Sequence, residues 1–427
     1  MLRFIGLTVF LVACGGPDLA DEAEGVPTWK GDVAPVIAER CGGCHQDGDI
    51  APFPLTTYEE VTSVAGLVAS AIEAGTMPPW QADNACNDYK NDISMPKKER
   101  DRVLAWIDGG TPEGKSGDVP EPEVFASIEL DSTLYMAEPY LPALSADDYR
   151  CFVIEWPETE DAFVTGVEVL PDSRAQVHHV LVYKGEPADA QEFRDWDAAE
   201  DGPGYTCFGA ATGAGGSART QLLGGWVPGV RSSPFPEGTG IFVEPGSVVI
   251  LQMHYNTSTT GAVPDDTAVS FKLDSTVENE AVSTLVTEAL WTLGTTMKIP
   301  AGEASVWHEA YVDPAFILGV TGTGFDIGPD ETIALHAAGL HMHKLGVSGS
   351  VSLAKADGSE QCLVHIPKWD FNWQGRLNLE EPVMVEPGDR IHIECEWDNS
   401  APGAEDTYWG DGTSDEMCLS GMYLSRI

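Results

Sequence analysis

The sequence predicts a small all-α domain followed by two all-β antiparallel sandwich domains of the jelly-roll kind. Three observations carry this. Between residues 28 and 110 the apolar positions repeat at helical spacing, whereas from about residue 125 they alternate along short runs. A Pro/Gly/acidic stretch, residues 111–124 (TPEGKSGDVPEPEV), divides the two patterns. The length suits roughly two to four domains, and 43% hydrophobic residues can fill their cores.

The N-terminus reads as an export signal. Arg3 precedes an apolar run, Phe4 to Ala13, that ends in Leu11-Val12-Ala13-Cys14. That run is about half of the ~20 residues a transmembrane helix needs, and its flanks fit a signal peptide over residues 1–13. A small residue directly before Cys resembles the bacterial lipoprotein signal, which makes Cys14 the lipidated first mature residue. Gly15 at the next position favours outer-membrane sorting. The expected location is the periplasmic face of the outer membrane, or the cell surface, with the lipid as the only membrane contact. Residues 14–27 form an acidic tether.

Within 28–110, Val33 to Arg40 predicts a short helix leading to Cys41. Tyr58 to Ala74 places Val61, Val64, Leu67, Val68, Ala71 and Ile72 on one face of a second. Lys97 to Ile107 follows Pro96 and stops at Gly109-Gly110. A linker over 111–127 leads to two β domains, 128–275 and 276–427. Their strands are predicted at Phe163 to Leu170, Val177 to Tyr183, Ser247 to His254, Val269 to Leu273, Ser305 to Val312, Val347 to Leu353, Gln361 to Ile366 and Arg390 to Glu396. Asp357-Gly358 marks a hairpin.

Against 68 acidic residues stand 23 basic ones, a formal charge of −45. Spread along the whole chain, this reads as a solvated surface and excludes a nucleic-acid partner. Export permits disulfides. Of nine cysteines, Cys14 is assigned to lipid and Cys41 with Cys44 to the motif below, leaving Cys86, Cys151, Cys207, Cys362, Cys395 and Cys418. Six thiols allow up to three bridges in 15 connectivities.

Cys41-Gly42-Gly43-Cys44-His45 has the C-x-x-C-H form of a c-type haem attachment site: two thiols for the porphyrin and an adjoining histidine for the iron. A bare C-x-x-C also fits a redox disulfide or half a zinc site. A thioether completes the haem ligation that raises an iron potential, and Met77 in Thr76-Met77-Pro78-Pro79-Trp80 or Met95 before Pro96 can supply it. Four of ten histidines fall in two tight pairs, His178-His179 and His341-Met342-His343. Imidazole suits copper and zinc, so each pair is half of a metal shell. On a strand His341 and His343 share a face, whereas adjacent His178 and His179 need a bulge to do so. His254, in Leu251-Gln252-Met253-His254-Tyr255, offers a further imidazole.

The helical segment resembles the small class I cytochrome c domains fused to bacterial periplasmic enzymes. Their Met-Pro-Pro-Trp element stands at 77–80, which favours Met77 as the haem's distal ligand. Residues from about 130 resemble the copper type II ascorbate-dependent monooxygenases, which include dopamine β-monooxygenase and the peptidylglycine α-hydroxylating enzyme. The marks are His178-His179, Leu251-Gln252-Met253-His254-Tyr255, His341-Met342-His343 and Glu416-Met417-Cys418, in the family's order. Trp369-Asp370-Phe371-Asn372-Trp373-Gln374 also resembles a segment of its second domain.

The resemblance implies two copper ions. His178, His179 and His254 would hold an electron-storing copper. His341, His343 and Met417 would hold the oxygen-activating, catalytic one. It also implies a Cys395–Cys418 disulfide; Cys151–Cys207 is a further proposed pair, with Cys86 and Cys362 unassigned. The implied reaction is hydroxylation of an activated C–H in a small organic substrate by O₂. Electrons would come through one covalent haem c, from a periplasmic donor or from ascorbate. The arginine that precedes the H-x-H motif in peptide-amidating members is Gly339 here, so peptide amidation is not expected. The rival reading is a periplasmic haem/copper electron-transfer or copper-binding lipoprotein without hydroxylase activity.

Overall fold

The computed structural model describes residues 25–427, leaving out 48–50, 91, 118, 121–127, 144–146, 208–210, 213–217, 228–232, 258–260, 295, 322–323, 329, 411 and 413. Cys14 and the expected signal peptide lie outside the described residues. Among the described residues, no helix is long and apolar enough to cross a membrane.

Helices come first. A π-helical turn, Trp29–Val33, runs into helix Ala34–Arg40, which ends beside Cys41. The single helix expected over Tyr58 to Ala74 is two, Tyr58–Ser63 and Ala65–Ala74, broken at Val64. Thr62 and Ser63 hydroxyls donate to the Tyr58 and Glu60 carbonyls at 2.8 and 2.7 Å, competing with the helical ladder just ahead of the break. Thr57 and Glu60 form a capping box at the first start, and Gly75 at φ 68° ends the second helix. Helix Lys97–Asp108 completes the set. Trp29, Val33, Ile37, Val61, Val103 and Trp106 are buried together in one core.

Beyond the linker the chain is mainly β. Each expected run is a strand within two residues of its predicted bounds: Ala162–Leu170, Val177–Gly185, Val248–Tyr255, Ala268–Asp274, Val306–Val312, Gly346–Ala354, Glu360–Ile366 and Arg390–Trp397. The hairpin turns at Gly358, whose φ of 87° suits glycine. Two helices interrupt a region expected to be all strand. Ala190–Ala199 buries Ala190 and Phe193 at helical spacing. Pro314–Thr321 is apolar on all sides, and such a run does not reveal its period.

Strands Asp148–Glu155, Val248–Tyr255, Val177–Gly185 and Thr220–Trp226 lie side by side in that order, antiparallel. Ser132–Tyr135, Ala268–Asp274, Ala162–Leu170 and Thr239–Val243 make a second antiparallel row. Both feed one core, with Phe152, Val164, Val180, Leu251 and Phe271 among its members. Strand Asn279–Val286 bridges the halves: it pairs with Thr239–Val243, touches Thr220–Trp226 at Ser283 and Leu222, and pairs with Ser420–Ser425. Ile333–Gly339 and Arg376–Val385 continue from there. A separate sheet, in the order Val306–Val312, Arg390–Trp397, Gly346–Ala354, Glu360–Ile366, contributes to the second core.

Residues 80–90 lie as a strap on this C-terminal β region. Trp80 packs on its core, the Tyr89 hydroxyl donates to the Leu363 carbonyl at 3.1 Å, and Lys90 N–H donates to Asn378 at 2.8 Å. Cys86 is bonded to Cys362, the pair that sequence left unassigned. Cys151–Cys207 and Cys395–Cys418 are the other bridges. Replacing Cys86 and Cys362 together by serine is expected to lower stability by about 2–4 kcal/mol in a urea titration. An unchanged midpoint would mean that the strap's hydrogen bonds suffice.

Candidate metal centre

His178 and His179 sit early in strand Val177–Gly185. In the pairing with Val248–Tyr255, Val177 faces Tyr255 and His179 faces His254, so His178 is the extra residue of a bulge. The bulge gathers three rings: centroids lie 5.7 Å apart for His178 and His179, 4.7 Å for His178 and His254, and 4.9 Å for His179 and His254. One ring nitrogen of each lies within 4.8 Å of the others.

The protons on these rings are placed by their partners. A carboxylate only accepts, so His254 Nε2–H donates to Asp147 at 2.8 Å and the lone pair falls on Nδ1. That Nδ1 is buried without a hydrogen-bond partner, as is Nδ1 of His178. Tyr149 stacks on the His254 ring at 4.1 Å and fixes its plane. Burial pushes the His254 imidazole down to about 4, and lowers His178 and His179 as well, so all three are neutral at pH 7. Buried, neutral and in part unsatisfied, these nitrogens suit a borderline metal ion such as copper.

The second pair departs from expectation. His341-Met342-His343 is not within a strand: strand Ile333–Gly339 ends before it, and the His341 backbone forms an isolated bridge with Leu419. Glycine at 339 permits the close approach of the next strand, since a Cβ there would meet the Gly375 carbonyl at 2.6 Å. The two rings nonetheless come together, 5.1 Å apart and nearly perpendicular. Gln374 donates to the Phe371 carbonyl at 2.8 Å, which turns its own oxygen to accept from His341 Nδ1. His343 Nδ1–H donates to the Asp415 carbonyl at 2.9 Å. Both Nε2 atoms keep their lone pairs, the arrangement that orients ligating imidazoles. Burial pushes His341 down to about 3 and lowers His343 too.

Met417 is buried and lines the same cavity as His341 and His343. Its neighbour Glu416 is wholly buried and accepts from His343 N–H at 2.8 Å, Leu345 N–H at 2.6 Å and Trp397 Nε1–H at 2.9 Å. Burial still pushes this carboxyl up to about 7. The Cys395–Cys418 bridge fixes the residue on the other side of Met417.

Both histidine sets line one cavity of about 350 Å³. Phe371 stands between them, stacked on His178 at 5.5 Å and edge-on to His343 at 6.0 Å. The strap holds this loop: the Gln81 side chain accepts from Asp370 N–H at 2.7 Å and donates to the carbonyls of Asp370 and Trp373. Asp147 and Gln81 escape sequence reasoning, and Gln374 stands out only within a resembling segment that gives it no role, because no local pattern links them to a histidine 33 to 107 residues away, or to a loop 289 away. The Gln374→Leu variant is expected to weaken metal binding at the His341 set about 10–100-fold in chelator competition, sparing the three-histidine set. Equal loss at both sets would mean a general loosening of the loop.

In the helical segment, His45 Nδ1–H donates to the Phe53 carbonyl at 2.9 Å, leaving Nε2 free to ligate. Burial pushes the Cys41 thiol up to about 12, unlike a reactive redox thiolate, and neither Cys41 nor Cys44 is in a disulfide. Among the described residues, these two and His45 do not form a compact three-ligand metal group. Met95 packs on the helical core along with Cys41 and Phe53, while Met77 is half-buried in the loop before Trp80. The remaining histidines have other partners: His308 the Lys298 carbonyl, His336 Ser425, His365 Asp83, and His392 both Glu309 and Glu360.

Comparison with known proteins bears on this geometry. Residues 291–425 match the family model "Copper type II ascorbate-dependent monooxygenase, C-terminal domain". The chain is 24% identical over 294 residues to DBH-like monooxygenase protein 1 of Gallus gallus, covering 65% of this chain and 44% of that protein. It is 25% identical over 252 residues to DBH-like monooxygenase protein 2 of Mus musculus, covering 58% and 38%. These matches support the copper type II monooxygenase family. The chain spans less than half the length of these curated relatives. Among solved structures, the major capsid protein P2 of bacteriophage PM2 aligns at a TM-score of 0.27 and 9% identity, over 69% of this chain and 97% of that one. That score is too low to add to the assignment.

Proposed function

We propose that the protein is a copper monooxygenase that hydroxylates an activated C–H of a small organic substrate, R–H + O₂ + 2e⁻ + 2H⁺ → R–OH + H₂O. The observation that carries this reading is the pair of unlike ligand sets on one cavity, three imidazoles on one side and two imidazoles with a thioether on the other. Copper bound there supplies the one-electron chemistry and the activation of O₂. Three imidazoles suit both oxidation states, and a thioether favours Cu(I).

The chain's own residues do the rest. Asp147, Gln374 and the Asp415 carbonyl hold ring protons away from the lone pairs that would bind metal. Leu340, Leu419, Met422 and Phe371 give the cavity an apolar wall that limits water around a reactive oxygen species. Cys41, Cys44 and His45 would bind haem c, with Met77 or Met95 on its far side, and electrons would reach the His178 set from there. Cys14 would carry the lipid that places the protein on the periplasmic face of the outer membrane or the cell surface.

Metal analysis tests the proposal directly. Two coppers and one covalent haem are expected per chain, with O₂ uptake that rises when substrate is added. Zinc, or a single copper, would overturn it. Two coppers with substrate-independent O₂ uptake would favour the electron-transfer rival.

A further inference from the structure

Among the described residues lining the cavity, Arg376 is the only lysine, arginine, aspartate or glutamate. It opens strand Arg376–Val385, two residues past Gln374. Its partners among the described residues are few. Nη1 donates to the Ser283 hydroxyl at 3.1 Å, and the guanidinium carbon lies 5.2 Å from the Tyr423 ring centre. A guanidinium carries five donors, so one hydroxyl and one ring face leave most of them unmet. No described carboxylate lies within ion-pairing distance, although the chain has 68 acidic residues against 23 basic ones. Arg426 shows the ordinary solution, since it pairs with Glu280 and Glu331.

Arg376 is half-buried, and a cation partly removed from water without a counter-ion is costly, so an anionic ligand that pairs with it is favoured there. The rest of the cavity wall carries no formal charge: it is apolar, aromatic or imidazole apart from the amides of Gln252, Gln374 and Asn378, with Leu222, Leu285 and Phe235 among the residues that share it with Arg376. Tyr423 in turn is braced by the Thr239 hydroxyl at 2.9 Å, so the face on which the guanidinium rests is fixed. A planar fork held in this way matches a carboxylate, which can accept two parallel N–H bonds.

We propose that Arg376 is the substrate-anchoring residue, binding a carboxylate on a small, otherwise apolar organic acid. This rests on the monooxygenase reading for its chemistry but not for its binding. The cavity volume of about 350 Å³ suits a ring or short chain with one such group. An amine of the same shape would meet a like charge, and an alcohol would leave the guanidinium uncompensated. The acidic surface does not oppose entry strongly, because exposed charges more than about 8 Å away are screened at physiological salt.

The test is calorimetric binding of three isosteric probes, 3-phenylpropanoate, 3-phenylpropanol and 3-phenylpropylamine, to the purified copper-loaded protein. The acid is expected to bind at least about tenfold tighter than either other probe. Arg376→Gln should bring the acid to the level of the alcohol, and Arg376→Lys should retain part of the preference. Should Arg376→Gln fail to fold, competition on the native protein decides: acetate should displace the acid while leaving alcohol binding unmoved. Equal binding of all three probes, tighter binding of the amine, or an unchanged acid affinity in Arg376→Gln would overturn the proposal. Tight acid binding with no substrate-dependent O₂ uptake would uphold the anion site and sink the monooxygenase reading. Hydroxylation confined to the amine would do the reverse.

Discussion

Replacing Met417 by isoleucine is expected to reduce substrate-dependent O₂ uptake by about 100-fold or more, a barrier increase of about 2.7 kcal/mol. The side chains are close in volume, so the buried site keeps its packing and the fold persists. What disappears is the thioether assigned to the His341 and His343 set, a soft donor that isoleucine cannot replace. The three-histidine set has no part in this change. Copper there should give an unaltered electron paramagnetic resonance signal, held by His178, His179 and His254. Full turnover in the variant would remove Met417 from the chemistry. Loss of both copper signals would show instead that residue 417 supports the whole cavity.

The second large effect is on stability. Glu416→Ala deletes one acceptor and strands three donors at once: the His343 and Leu345 amides and the Trp397 indole. Unpartnered buried donors cost about 1–3 kcal/mol each, and shared relaxation makes the sum smaller than three times that, so a loss of about 3–5 kcal/mol is expected in a urea titration. Glu416→Gln keeps one carbonyl oxygen and resembles the protonated acid, a form that burial already favours by pushing this group up to about 7. It should lose less than half as much. A loss in the glutamine variant equal to that in alanine would show that the negative charge, not the acceptor geometry, is what the site needs.

The strands were legible because their apolar residues alternate, and the elements without a clear period were not. Pro314–Thr321 is apolar on every side, and Tyr58–Ser63 parts from Ala65–Ala74 through hydroxyl groups that compete for carbonyls. At the site, ligand candidates lay in short motifs, so His178, His179, His254, His341, His343 and Met417 could be named from spacing and resemblance. The bulge at His178 could even be required in advance, since adjacent side chains on a regular strand diverge. Their supports could not. Asp147 reaches His254 and Gln374 reaches His341 from segments remote in sequence, and the register of Arg376 against Gly339 brings that residue to the cavity. The C-x-x-C-H segment stands differently again: its motif is explicit in Cys41, Cys44 and His45, while spacing alone does not choose between Met77 and Met95 as a partner for it.

The Cys86–Cys362 bond makes a single closed ring of the chain between its ends, with 276 residues of separation spanned by one link. The linker and the entire first β row belong to that ring. A protease that cuts anywhere between those cysteines opens the ring without dividing the molecule, so the helical segment and the cavity would part only after reduction. The same closure orders assembly in time. Cys86 leaves the ribosome long before Cys362 exists, and until then the nearest thiols in sequence are Cys41 and Cys44. Cys151 and Cys207 also precede Cys362, so formation of their own bridge would remove two further competitors and place closure of the ring after it.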